Sequence, residues 1–393
     1  MTPIFSGVRR CFALLAFLFT ASASAAPPIV IGISAEYGLK GSQAAQSIEK
    51  GIKVAIEEIN ARGGLLGGRP LALETRDDRG VPARGIDNLK ELAGKPEVIA
   101  VFCGRFSPVA IEQAPVANRE GILLLDPWAA ANGIANNGAN PNYVFRLSMT
   151  DTWAMNTLAD YAIRKKLNHI ALFLPNTAWG RSSLAAFDAY TAKHAQLNSN
   201  NYWYNWGDMN FSEQLTEARE KGAKAILMVA NESEGAIIVK TLAELPANQR
   251  LPVIAHWGIT GGNFADATGA ALDAVDLQVV QTFTFHDAKG ARVKPVARNY
   301  QRLFGQEAGT LQAAVGFAHA YDLTHLLAMA ITKAGTTARP AVRHALENLG
   351  SYVGLVRNYN RPFSPENHEA LDQKQVFLAR FARDGTLFRT QDK

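Results

Sequence analysis

The order apolar run, turn, helix, apolar run between Pro96 and Trp128 restricts the fold more than any other feature of this sequence. Val98-Ile99-Ala100-Val101-Phe102 is rich in β-branched residues and has the length of a buried strand. The turn Cys103-Gly104-Arg105-Phe106 leads into Ser107-Pro108, and Val109 to Arg119 reads as a helix. Serine is a favoured N-cap and proline a favoured first helical residue. Gly121 to Leu125 gives a second strand, which ends at Asp126-Pro127-Trp128. Ser107 at the helix start has two readings. It caps the helix, or it belongs to an anion site, since free N–H groups and the helix dipole meet there.

The same alternation runs along the chain. Ile29 to Ile33, then a helix at 42 to 60, then Leu71 to Thr75, then a helix at 82 to 93, lead into this unit, and Tyr143 to Leu147 is extended. The pattern then begins again. Helix 152 to 165, strand His169 to Leu174, helix 181 to 194, strand Tyr202 to Trp206, helix 212 to 220, strand Ala225 to Ala230, helix 235 to 245 and strand Val253 to Ala255 follow in turn. Val275 to Phe285 is strand-like, two helices are expected at 294 to 304 and 311 to 333, and 375 to 389 reads as a hairpin. Strands alternating with helices call for parallel sheets covered by helices, so the fold class is α/β, with two similar units in series.

Residues 1 to 25 stand apart. Arg9-Arg10, the short apolar run Cys11 to Phe19 and Ala-Ser-Ala-Ser-Ala have the layout of a signal peptide, with cleavage expected near Ala25. The run is too short for a transmembrane helix, so an exported, soluble protein is expected. Losing Arg9 and Arg10 lowers the formal charge from +5 to +3. That small excess and the lack of a basic stripe with interleaved aromatics give no support to nucleic-acid binding. Cys103 then remains as a single cysteine beside a strand, expected to be an inert core thiol.

Chemistry-bearing motifs are scarce. Gly63 to Gly68 follows a helix and precedes a strand, the reverse of a phosphate-binding loop. His319 and His325 lie six apart, off a shared helix face, so no metal pair is expected. There is no nucleophile elbow, so neither an enzyme nor a cofactor is expected. Open α/β sheets bind ligands beyond the carboxyl ends of their strands. The turns there carry Arg105, Ser107, Trp128, Trp179, Glu232, His256 and Trp257. Three of six tryptophans fall on these turns, which makes them candidate ligand walls, with core packing as the other reading.

These residues also carry a resemblance. The chain resembles the type I periplasmic solute-binding proteins of ABC transporters, in the Leu/Ile/Val-binding group. The matching stretches are Gly51 to Gly64 with its Glu-Glu-Ile-Asn-Ala-Arg-Gly-Gly ending, Asp77-Asp78, Ser107, Pro127-Trp128-Ala129-Ala130, Arg146 with Asp151, Trp179-Gly180, and Gly207-Asp208 with Phe211. The resemblance implies two doubly wound parallel-sheet lobes joined by three hinge crossovers. These would fall near 147–151, 279–282 and 353–358. One lobe would hold 26–148 and 281–354, the other 149–280 and 355–393.

The resemblance also implies a ligand site between the lobes. Ser107 and the segment Pro127 to Ala130, with Trp128, Ala129 and Ala130, would hold a ligand carboxylate. Trp128 takes an alanine's place and Ala130 a threonine's. Trp179 takes a tyrosine's place, and Trp257 that of the glutamate that meets a ligand ammonium. Glu232, at a usually aromatic position, would replace that acid, and Asp151 matches the acidic residue at the crossover. These departures point to a ligand with a flat or apolar part, an amino acid or an aromatic acid. The implied partners are that small molecule and the membrane subunits of an ABC permease, with the protein a periplasmic monomer. A ligand-sensing module of the same fold is the alternative.

Overall fold

The computed structural model describes Thr2 and residues 27–390, so the expected signal peptide lies outside the described residues. Five strands form the first sheet: β1 (Ile29–Ala35), β2 (Leu71–Asp77), β3 (Val98–Cys103), β4 (Leu123–Asp126) and β5 (Val144–Arg146). They run in the order β2-β1-β3-β4-β5, and every pairing is parallel. The second sheet takes β6 (His169–Pro175), β7 (Asn198–Tyr204), β8 (Ala225–Met228), β9 (Val253–Ala255) and β10 (Leu277–Gln281). After a small hairpin of β11 (Tyr352–Val353) and β12 (Asn358–Tyr359), strands β13 (Phe377–Phe381) and β14 (Leu387–Arg389) complete it. Its order is β14-β13-β10-β9-β8-β6-β7, with the last two strands of the chain antiparallel. The fold is therefore two helix-covered sheets, as the alternation and the resemblance imply.

The chain leaves the first sheet after Arg146, and Asp151–Arg164 is the first helix of the second lobe. It returns after Gln281 with the helices Val293–Phe304 and Ala314–Ala334. The long helix Ala314–Ala334 packs on Ala44–Ala61. A Cβ on Gly51 would lie 2.2 Å from the Phe317 carbonyl oxygen, so glycine sets how closely these helices approach. Asp322, buried in the long helix, accepts the N–H groups of Leu355 at 2.7 Å and Val356 at 2.9 Å. It thereby ties the last crossover to the first lobe.

Several expectations need correction. Ser107 does not cap its helix: the helix is Ser107–Glu120, the cap position is Phe106, and no side chain bonds there. The turn expected at 176 to 180 is shorter, because Thr177 caps the helix Ala178–Thr191 through Gly180 N–H. Trp179 is therefore in a first helical turn. The helix expected from 235 starts at Glu232. The strand expected over 275 to 285 covers only Leu277–Gln281, and the one at 202 to 206 is instead Asn198–Tyr204. The helix Arg339–Glu347, which packs on Ala314–Ala334, is an element the sequence reading lacks. No helix among the described residues is long and apolar enough to cross a membrane.

Candidate functional site

Loops and helix starts at the carboxyl ends of both sheets face each other, and the candidate residues lie on them. From the first lobe come Glu36 after β1, Gly104 to Phe106 after β3 and Pro127 to Ala131 after β4. From the second come Asp151, Trp179, Glu232 and His256 to Gly261.

The loop after β4 is pinned at almost every peptide. Asp126 accepts the N–H groups of Trp128 at 2.9 Å and Ala129 at 2.7 Å. The Ser107 hydroxyl accepts that of Ala131 at 3.1 Å. The carbonyl of Pro127 meets His319 Nδ1 at 2.7 Å, and that of Trp128 takes the Ser148 hydroxyl at 2.8 Å. Arg146 donates to Ala129 at 3.2 Å and Ala131 at 2.8 Å, and Asp151 N–H donates to Ala130 at 2.7 Å. Rigidity here follows from satisfied backbone groups. Ala129 thus shapes the loop through its peptide groups. Arg146 is itself buried and held by both oxygens of Glu369, at 2.6 and 2.7 Å. Burial pushes the Asp126 carboxyl up to about 7, against the pull of Arg146.

Two of the three candidate tryptophans touch across the lobes. Trp128 and Trp257 come from opposite lobes, each 1% exposed, with ring centroids 5.7 Å apart. Trp179 stands edge-on to His256 at 5.0 Å. Asp151 Oδ1 accepts from Trp179 Nε1 at 3.2 Å and faces His256 Nε2 at 3.0 Å. A carboxylate oxygen accepts, so Nε2 carries the proton of His256. Asp151 Oδ2 and His256 Nδ1 are both buried without a protein partner. Two buried acceptors therefore sit unpaired where Asp151, Trp179 and His256 meet.

Glu232, expected to replace the acid that meets a ligand ammonium, is paired within the protein. Arg105 reaches from the first lobe and meets both its oxygens at 2.7 Å. The same guanidinium donates to Gly258 O at 3.2 Å and lies 3.4 Å from Glu36. Burial pushes Glu36 up to about 6, with Arg105 opposing. Glu36 escaped the sequence reading, although the loop after β1 occupies the right end of its strand. The lobes also touch through an antiparallel bridge of Ser42 with Gly262 and through Asn132 N–H to the Ser182 hydroxyl at 2.9 Å. Phe106 packs on Trp206 at 5.0 Å. The lobes are closed on one another. Cys103 is buried, and its thiol is pushed well above the usual range by that burial, as an inert core thiol requires. Among the described residues no cluster of three or more metal-ligating side chains occurs.

The chain is 26% identical over 319 residues to Leu/Ile/Val-binding protein homolog 3 of Brucella melitensis, covering 79% of this chain and 80% of that one. Solved structures share the fold. The periplasmic binding protein type 1 of Bordetella pertussis Tohama I superposes with a TM-score of 0.82 at 20% identity, over 92% of this chain and 99% of that one. The branched-chain amino acid transporter substrate-binding protein LivJ of Streptococcus pneumoniae, in complex with isoleucine, gives 0.75 at 19%, over 92% and 100%. An ABC transporter solute-binding protein of R. palustris in complex with benzoate gives 0.75 at 18%, over 92% and 95%. The sequence pattern of the periplasmic binding proteins matches residues 28–386, and the chain belongs to that family of solute-binding proteins, with Leu/Ile/Val-binding proteins among its relatives.

Proposed function

We propose that this protein is exported to the periplasm, captures a small carboxylate-bearing ligand between its lobes and delivers it to an ABC-type permease. The observation that carries the reading is the closure of two lobes over Trp128, Trp179 and Trp257, next to the pinned loop after β4. The Ser107 hydroxyl and the Ala130 N–H receive the carboxylate, helped by the dipole of the helix Ser107–Glu120. The tryptophans stack on the flat or apolar part, and Asp151 with His256 accepts a donor group at the base. A complex of the fold with benzoate supports an aromatic acid, and one with isoleucine an amino acid. The lobes comprise 26–148 with 281–354 and 149–280 with 355–393, and the protein acts as a monomer.

Calorimetry and solution scattering test this on the purified protein, with benzoate, 3-phenylpropionate, L-phenylalanine and L-leucine as probes. At least one should bind without chemical change and compact the protein at saturation. Trp257→Ala should weaken it, since stacked apolar area is lost. No binding by any carboxylate, or binding without compaction, would refute the reading.

A further inference from the structure

The geometry points to Arg105 as an internal cation that occupies the acidic pole of the cleft, so that the site selects carboxylates lacking an ammonium group. The inference rests on the carboxylate reading above and names its ligand class. Glu232 is the acid in the second lobe that a ligand ammonium would be expected to meet. Its two oxygens are already filled in bidentate fashion by the guanidinium, with side chains 3% and 5% exposed. A pair of that geometry is among the strongest hydrogen-bonded ion pairs, and it already balances the charge that a ligand ammonium would meet.

The second lobe is shaped to receive this side chain. A Cβ on Gly261 would fall 1.8 Å from Arg105 Nη1, and Gly258 supplies a carbonyl at 3.2 Å. The first lobe holds the arginine ready. Glu36 lies 3.4 Å from Nε, and a Cβ on Gly104 would fall 2.4 Å from a Glu36 oxygen. Socket and key thus come from different lobes and meet only when the cleft shuts. An unpaired buried Glu232 would be costly, and the protein supplies the cation itself. A ligand with its own ammonium would have to displace Arg105 and leave Glu36 alone.

The test has two arms. In the first, the parent and Arg105→Met are titrated with 3-phenylpropionate and L-phenylalanine, which differ only in the ammonium. The parent should prefer the deaminated acid. Arg105→Met should shift the ratio of the two affinities toward L-phenylalanine by about tenfold or more, the size of one charged hydrogen bond. A parent preference for L-phenylalanine would overturn the inference and assign the ammonium to Asp151. An unchanged ratio in Arg105→Met would overturn it too.

The second arm needs no carboxylate ligand. Methylguanidinium at millimolar concentration should raise the melting temperature of Arg105→Ala saturably. It should not do so for the parent or for Arg105→Ala with Glu232→Gln. A rise in both variants alike, or in neither, means that Glu232 is no cation socket and overturns the inference. If neither carboxylate binds the parent while the rescue succeeds, the carboxylate reading fails and Arg105 keeps its place as the cation of the socket.

Discussion

His319 connects the loop after β4 to Thr282 just past β10, and its titration can be read from outside. It is fully buried on the helix Ala314–Ala334. Nδ1 lies 2.7 Å from the Pro127 carbonyl, which can only accept, so Nδ1 carries the proton. Nε2 then accepts from the Thr282 hydroxyl at 2.9 Å. Burial lowers its pKa to about 4, while the bond to Pro127 pulls the other way. A folded pKa below the unfolded one means that stability is complete above about 6.5 and drains away as pH falls toward 4. Between pH 7.5 and 4.5 this one group should cost the fold about 2–3 kcal/mol.

The measurement is urea unfolding of the parent and of His319→Gln at both pH values. Other titrating groups, Asp126 and Asp322 among them, are common to both proteins and cancel in the difference. The variant should start lower at pH 7.5, by about 1–3 kcal/mol for bonds lost or left unmatched. It should then lose about 2–3 kcal/mol less than the parent on acidification. Equal losses within about 0.5 kcal/mol would mean that His319 gains its proton as easily folded as unfolded, and the burial argument would be wrong.

Three further outcomes are expected. Ser107→Ala should destabilise by about 1–3 kcal/mol, because the buried Ala131 N–H loses its acceptor, and should weaken carboxylate binding; a variant with parental melting temperature would contradict this. Arg146→Met should cost about 3–5 kcal/mol in urea unfolding, since Asp126 and Glu369 lose their cation, and adding Glu369→Met should recover part of it. Gly261→Ala should drive Arg105 from its socket, so solution scattering should show a more open form at a ligand concentration that closes the parent; equal compaction would refute the close fit.

The alternation of apolar runs and helices was legible because burial on both faces of a parallel sheet leaves continuous apolar strands. The turns at the strand ends followed from it, and with them the places of Trp128 and Trp257, whereas Trp179 lies in the first turn of a helix. What stayed hidden depends on side chains meeting across great sequence distance. Arg105 and Glu232 are 127 residues apart, and nothing local marks either as the other's partner. Ser107-Pro108 fits a cap followed by a first helical residue, yet the hydroxyl is drawn to Ala131 because the loop after β4 passes over it. The helix Arg339–Glu347 begins at Arg339-Pro340 without a side-chain cap and carries several polar residues, so its apolar positions Val342, Ala345 and Leu346 are easily overlooked. Strand β7 opens on Asn198-Ser199-Asn200-Asn201 because it is the sheet's edge, where polar residues are tolerated.

The interleaving of the two sheets sets an order on how the chain acquires its structure. Val293–Phe304 and Ala314–Ala334, which pack on Ala44–Ala61, and Arg339–Glu347, which packs on Ala314–Ala334, are made only after β6 to β10 of the second sheet. That second sheet in turn waits for β13 and β14. Ser47 donates to the Ala313 carbonyl across 266 positions, and Arg339 reaches Val98 across 241. Contacts of such range form slowly, because the loop they close must be ordered before any gain is returned. Neither half can become a finished, compact body during synthesis while its closing segments are still missing. A polypeptide with this layout remains threadable along most of its length until its last strands are made, and under the export proposed above that suits passage through a narrow pore far better than a chain whose first half folds at once.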